Sequence, residues 1–158
     1  MINFDSISKD NIPENHPILV FDAFWWATTK DNKSVRWCNF SPMEMTYVLP
    51  WILVLDCLPN DEYVYRVCGT GCDRIFNRNL TGSKFGEHVD KDWAKSRQAE
   101  LAAIKSGGGP SYSKGNIPVT GRDHVKIFRG LYGFAYGGNK IDRLVAVVAP
   151  PNQPNIAL

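Results

Sequence analysis

Charge of a single sign is what this 158-residue sequence has least of: 18 Lys and Arg stand against 16 Asp and Glu, leaving a formal +2. The basic residues are scattered, so the concentrated stripe that neutralises phosphates is missing and nucleic acid is not an expected partner. Long apolar runs are missing too. The two greasiest stretches, residues 18–27 and 48–55, are broken by Asp22 and Pro50 and fall well short of the ~20 apolar residues that cross a bilayer. No membrane partner is expected. The start, Met1-Ile2-Asn3-Phe4-Asp5, carries an acid and no apolar run of the kind a secretory signal needs. A cytoplasmic location is expected, with the four cysteines as reduced thiols and the Asn79-Leu80-Thr81 glycosylation triplet without consequence.

Motifs that carry chemistry are equally scarce. No nucleophile elbow, zinc-protease helix or phosphate-binding loop occurs. Cys68 and Cys72 are close in sequence, but Cys38 and Cys57 form no second pair, which excludes a structural zinc site. Gly69-x-Gly71 imitates a dinucleotide fingerprint, with Asp90 near the place of a ribose-binding acid, yet Arg74 stands where the third glycine belongs. No buried strand follows over residues 84–89, so a plain strand-to-helix turn is expected. Asp90 and Asp92 are neighbours suited to a helix N-terminus rather than to acid–base work. With no acid and base visibly paired, the expectation is a protein that is not an enzyme.

What the chain does have is core material: 44% hydrophobic and 12% aromatic residues, including five Trp, exclude a disordered chain and suffice for one domain. After a polar lead-in over residues 1–15, Pro17–Thr28 reads as a helix capped by Asn15 or His16, with proline near its first position. Its apolar residues reach round most of its girth, so it must be covered on most sides. Residues 29–40 read as a polar loop. Ser41-Pro42-Met43-Glu44 is a capping box that predicts a short helix ending before Pro50. Trp51–Cys57 reads as a central strand. Glu62–Cys68 follows as its hairpin partner, with Tyr63, Tyr65 and Val67 on one face and Val64, Arg66 and Cys68 on the other. A short helix over Cys72–Asn77 and irregular residues 78–89 lead to a helix over Lys91–Lys105, capped by Asp90 and stopped by Ser106-Gly107-Gly108-Gly109-Pro110. Three strands remain, Tyr112–Val119, Asp123–Tyr136 and Asp142–Ala149, before a proline-rich tail over residues 150–158. Two strands, a block of helices and three strands predict an α+β fold, a five-stranded antiparallel sheet with helices over one face and an additional N-terminal helix.

FSPMEM, YVLPWILVLDC and EYVYRVCGTGCDRIFNRNLTGSKFGEHV, followed by GRDHVKIFRGLYGFA and IDRLVAVV, resemble the PAS family, in particular a bacterial single-domain type of the alphaproteobacteria. The resemblance spans residues 16–149, taken as one domain, and is most specific over Tyr65–Thr70 and Leu80-Thr81-Gly82. Gly133 stands near a position where relatives carry proline. The resemblance implies a sensory module in signal transduction that cradles a small molecule between helices and sheet, or dimerises through its N-terminal helix. The 158 residues include no kinase, cyclase or DNA-binding segment, so output is expected to pass to a separate effector protein. Cys72-Asp73-Arg74-Ile75-Phe76 resembles the reactive-cysteine motif of flavin-binding light sensors but stands directly after the second strand, and Cys72 reads as a buried structural thiol. The long helix has no histidine for a haem. The cofactor is thus unknown, with no haem, flavin or zinc motif.

Strand alternation places Tyr65, Val67, Tyr112 and Phe128 in the expected ligand pocket, and the helices and loops add Phe76, Phe85, Trp93 and Arg97. Both sheet faces read as covered, which leaves open the face that lines the pocket. Arg97 falls among Trp93, Leu101 and Ile104 on the apolar stripe of its helix: either its stem packs there while the guanidinium reaches water, or it anchors a ligand carboxylate or phosphate. On the N-terminal helix Trp25 and Trp26 point about 100° apart, so one is left for a second surface. A homodimer interface of Phe21, Phe24, Trp25 and Trp26 is expected. A ligand-free interaction domain and, less well supported, a small enzyme with a cone-shaped α+β pocket are the alternatives.

Overall fold

A computed structural model describes residues 4–152; the part of the expected tail over 153–158 lies outside them. Helix α1 spans Pro17–Thr28 as expected. His16 caps it, its side chain accepting from the Ile18 amide, and Pro17 takes a first-turn position where a missing N–H is harmless. Ile18, Phe21, Asp22 and Trp25, at the spacing of one helical face, are the residues it buries with Pro17. Helix α2 (Thr70–Phe76) ends on the left-handed Asn77, and α3 (Lys91–Lys105) begins on Asp90, whose carboxylate accepts the Trp93 amide at 2.9 Å.

Among the described residues the sheet has seven strands rather than five. Strands β3 (Ile52–Leu58), β4 (Glu62–Cys68), β5 (Ser111–Asn116), β6 (Lys126–Ala135) and β7 (Arg143–Ala149) form the contiguous antiparallel run β5-β6-β7-β3-β4. The two additions are short: β1 (Phe4–Ser6) pairs antiparallel with β5, and β2 (Val35–Arg36) lies parallel to Phe134 and Ala135 of β6, beyond the end of β5. β1 falls in the expected polar lead-in and β2 in the expected polar loop. The helix expected after Ser41 is also absent. Pro42–Glu44 and Leu49–Trp51 are single 3-10 turns, and Ser41 makes no side-chain cap bond. Pro50 leaves the intervening segment too short for a stable helix.

Both faces of the sheet are covered. On one, α1 and the 3-10 turns pack on Ile52, Val54, Tyr132, Phe134, Val145 and Val147. On the other, α2 and α3 pack on Leu53, Leu55, Tyr63, Tyr65, Leu131 and Ala146. All seven residues of β7 are buried, as a strand flanked and covered on every side must be.

One strand departs from simple alternation. Val54 faces Val67 but Leu55 faces Tyr65, so β4 carries an extra residue at Arg66. This bulge turns Val67 away from Tyr65 and leaves it 45% exposed, while Cys68 joins the core beside α2. The expected grouping of Tyr65 with Val67 is corrected accordingly. The glycines ahead of α2 also have a packing explanation. A Cβ on Gly71 would lie 2.6 Å from the Trp51 ring, and one on Gly69 would lie 2.5 Å from the Leu49 and Pro50 carbonyl oxygens. Gly-x-Gly here lets a helix sit against a chain turn, leaving no room for a phosphate.

Candidate functional site

At the N-terminal end of α3 an open cleft of about 580 Å³ lies between the helix, β1 and the connection from β5 to β6. Phe4, Trp93 and Arg97 line it, with Asp90, Asp92 and Asp123 among its polar residues. A row of aromatic rings supports it: Tyr65, Phe85, Trp93 and Phe4 follow one another at centroid distances of 6.4, 5.8 and 5.3 Å.

Arg97 also belongs to a largely buried ion cluster. Arg129 of β6, its side chain 5% exposed, donates to Glu100 Oε1 at 2.7 Å, and the Ser111 hydroxyl donates to Oε2 at 2.5 Å. Burial pushes the Glu100 carboxyl up, but Arg129, the Ser111 hydroxyl and Arg97 together outweigh it and hold it below its ordinary value. Arg97 reaches the same Oε1 only at 3.8 Å. Its guanidinium carbon and that of Arg129 stand 5.3 and 5.4 Å from the Phe4 ring centroid. Arg97 Nε and Trp93 Nε1 are buried and have no hydrogen-bond partner among the described residues. Two guanidinium groups therefore share one carboxylate, and the spare positive charge belongs to the residue that lines the cleft.

On the opposite face α1 is pinned by Asp22, which is 4% exposed. Its carboxylate accepts the hydroxyls of Tyr132, at 3.0 Å, and Tyr112, and pairs with Lys9 Nζ at 3.0 Å. Burial and this carboxylate push both tyrosines above their ordinary pKa, so they stay protonated donors. His16 is buried too. Since Nδ1 accepts the Ile18 amide, Nε2 carries the proton and is shared between the Ala149 and Pro150 carbonyls at 3.3 and 3.1 Å.

The eight residues expected to line one pocket divide between these places. Tyr65, Phe76, Phe85, Trp93 and Arg97 lie on the α3 side. Tyr112 and Phe128 pack into the α1 side, Phe128 edge-on to His16 at 5.6 Å, and Val67 is at the surface. Of the residues expected at a dimer interface, Phe21 and Trp25 are 0% exposed, and Trp25 Nε1 donates to the Gly133 carbonyl at 3.1 Å. They hold α1 to the sheet and are not free to meet a partner. Phe24 is half-buried and Trp26 is 41% exposed, bounded along α1 by Val20, Ala23 and Ala27.

Phe4, Glu100, Arg129 and Asp22 escape the sequence analysis. Arg129 interrupts the apolar run of β6 after Lys126, and Asp22 is the one charged residue of α1, which is the one signal either gives. Burial pushes the Cys57 thiol up to about 11 and the Cys68 and Cys72 thiols also upward, which disfavours the thiolate at these three positions. Among the described residues no group of three or more His, Cys, Asp or Glu could hold a metal, and no helix is long and apolar enough to cross a membrane.

No family model matches the chain, and no curated protein does. A solved structure, a sensory box histidine kinase/response regulator from Burkholderia thailandensis, overlays on 70% of this chain and 84% of its own at 11% identity and a TM-score of 0.44.

Proposed function

We propose that this protein is a PAS-like sensory or regulatory module, without catalytic activity of its own, that holds a small molecule in the cleft at the start of α3 and signals through protein contacts. The observation that carries the proposal is the uneven sharing of Glu100: Arg129 takes it at 2.7 Å and leaves Arg97 at 3.8 Å, beside an open cleft. A half-buried guanidinium so placed favours a carboxylate or phosphate group. Trp93 and Phe4 offer apolar surface for the body of the ligand, and Asp92 and Asp123 favour a cationic or hydrogen-bond-donating end outward.

Native mass spectrometry of the purified protein tests this, with excess mass expected over the 17.8 kDa chain that is lost in Arg97→Ala. A chain of bare mass that gains nothing from libraries of small carboxylates and phosphates, with or without Arg97, overturns the ligand.

The outward strip of α1 supports a second element, a protein interface. Val20, Ala23, Trp26 and Ala27 are exposed on a helix whose one charged residue, Asp22, points inward. An apolar strip of this kind favours a homodimer or a separate effector. With the interior between sheet and α3 filled by Tyr63, Tyr65, Leu101, Ile104 and Leu131, it also supports a ligand-free interaction domain should the cleft bind nothing.

A further inference from the structure

The connection between β5 and β6 sorts charge between two pockets. Asp123 lines the cleft at the start of α3, where Asp90 and Asp92 also stand. Its neighbour Arg122 lines a different pocket, of about 300 Å³, together with Arg78 and His88. Thr120 borders both. Among the described residues no carboxylate lines this second pocket.

Three segments build it. Asn77 adopts the left-handed conformation that ends α2, so Arg78 leaves the helix. Gly121, at φ +85°, turns the β5–β6 connection, and the Arg122 amide closes that turn by donating to the Val119 carbonyl at 2.9 Å. The third segment carries His88. It is tied to the connection by the Asp90 amide, which donates to the Pro118 carbonyl at 2.6 Å.

The positive charge here is left without a partner. Among the described residues neither Arg78 nor Arg122 enters an ion pair. Arg78 Nη1 stands 3.5 Å from His88 Nε2, so its neighbour is another basic side chain. Glu87, 3.9 Å from the same ring nitrogen, is the acid that comes within reach of the three. The C-terminal end of α2 favours a cation and accounts for Arg78. It does not account for Arg122 or His88, which come from other segments.

We propose that this pocket binds the phosphate group of a small phosphate monoester, held by Arg78, Arg122 and His88. A guanidinium offers a planar fork of donors that matches phosphate, and the three free oxygens of a monoester can accept from three groups at once. Leu80 and Val119 supply a small apolar wall for the organic part. A volume of about 300 Å³ is at the lower end for small-molecule sites, so that part is small. The site is separate from the cleft and holds whether or not the cleft takes a ligand.

The test is a titration of the full chain with inorganic phosphate and with phenyl phosphate at constant ionic strength, followed by amide NMR. Saturable shifts are expected at Arg78, His88, Gly121 and Arg122. Arg78→Gln/Arg122→Gln should weaken binding at least ~10-fold, because two charge-assisted contacts are lost. Lys95→Gln/Lys140→Gln removes the same charge from exposed positions elsewhere and should bind as wild type does. Equal binding by the two double variants overturns the site. So, in wild type alone, do shifts that never saturate or that fall at Trp93 and Arg97 in the cleft. A phosphoserine peptide bound at least ~10-fold more tightly than phenyl phosphate would assign the pocket to a phosphorylated partner and overturn the small ester.

Discussion

Arg129 and Arg97 approach the same oxygen of Glu100 from different elements, one at 2.7 Å and the other at 3.8 Å. The nearer arginine neutralises the carboxylate, and the farther one is left with charge to spend on solvent or a ligand. Glu100→Gln removes the shared anion and leaves two guanidinium groups near the Phe4 ring without it. Breaking a buried ionic partnership from one side costs about 3 kcal/mol. A drop of that order in urea-unfolding free energy is expected, whereas Arg97→Gln should cost less than about 1 kcal/mol because its ion pair is long.

Acid should act on the same cluster. The Glu100 carboxyl is held below its ordinary value of 4.5 in the folded protein. The unfolded chain therefore takes up the proton first, and the contribution of Glu100, complete above the unfolded value, is lost as pH falls through the lowered one. Unfolding midpoints measured from pH 6 to pH 3 should fall more steeply for wild type than for Glu100→Gln.

His16 makes a second pH dependence in a different window. Burial, against the two carbonyl acceptors, lowers its pKa below 6.5. Stability should be whole above about pH 6.5 and fall as pH drops through the lowered folded value, because a charged ring cannot accept the Ile18 amide. His16→Asn retains a capping group and should flatten this slope at an overall cost of about 1 kcal/mol, read from denaturation curves at pH 7.5 and 5.5.

Gly71→Ala places a methyl group 2.6 Å from the Trp51 ring. Overpacking of this kind costs about 1–3 kcal/mol. Gly138→Ala meets nothing within 4 Å and is the control expected to melt with wild type. Equal melting temperatures for the two variants would contradict the proposed role of Gly71.

Trp26→Glu tests the outward strip of α1. Sedimentation velocity should find self-association in wild type and a monomer in the variant, with the circular dichroism spectrum unchanged. Trp25→Glu should instead unfold the protein, since that indole is 0% exposed and hydrogen-bonded to Gly133.

Sequence alone located the elements that carry strong punctuation. α1, α3 and β4 begin and end where proline, the capping His16 and Asp90, the glycine run and strand alternation place them. β1 and β2 are too short for any periodicity, and their pairing depends on partners far along the chain. The capping-box signal at Ser41 was overridden by the prolines around it. The bulge at Arg66 left no mark in composition, and it misdirected Val67. The candidate site was legible as far as Trp93 and Arg97, which share one helix. Its other half was not, because Glu100 and Arg129 are ordinary surface-type residues until the fold brings them within 2.7 Å.

Burial of β7 on every side has a consequence for how the protein is made. Leu53 of β3 pairs across to Ala146, and Leu131 of β6 pairs to the same residue. On a ribosome, the β3–β4 hairpin and both helical layers emerge before the strand that joins them exists. Until it arrives, β3 and β6 each lack the neighbour they share, and unpaired strand edges of that kind invite aggregation.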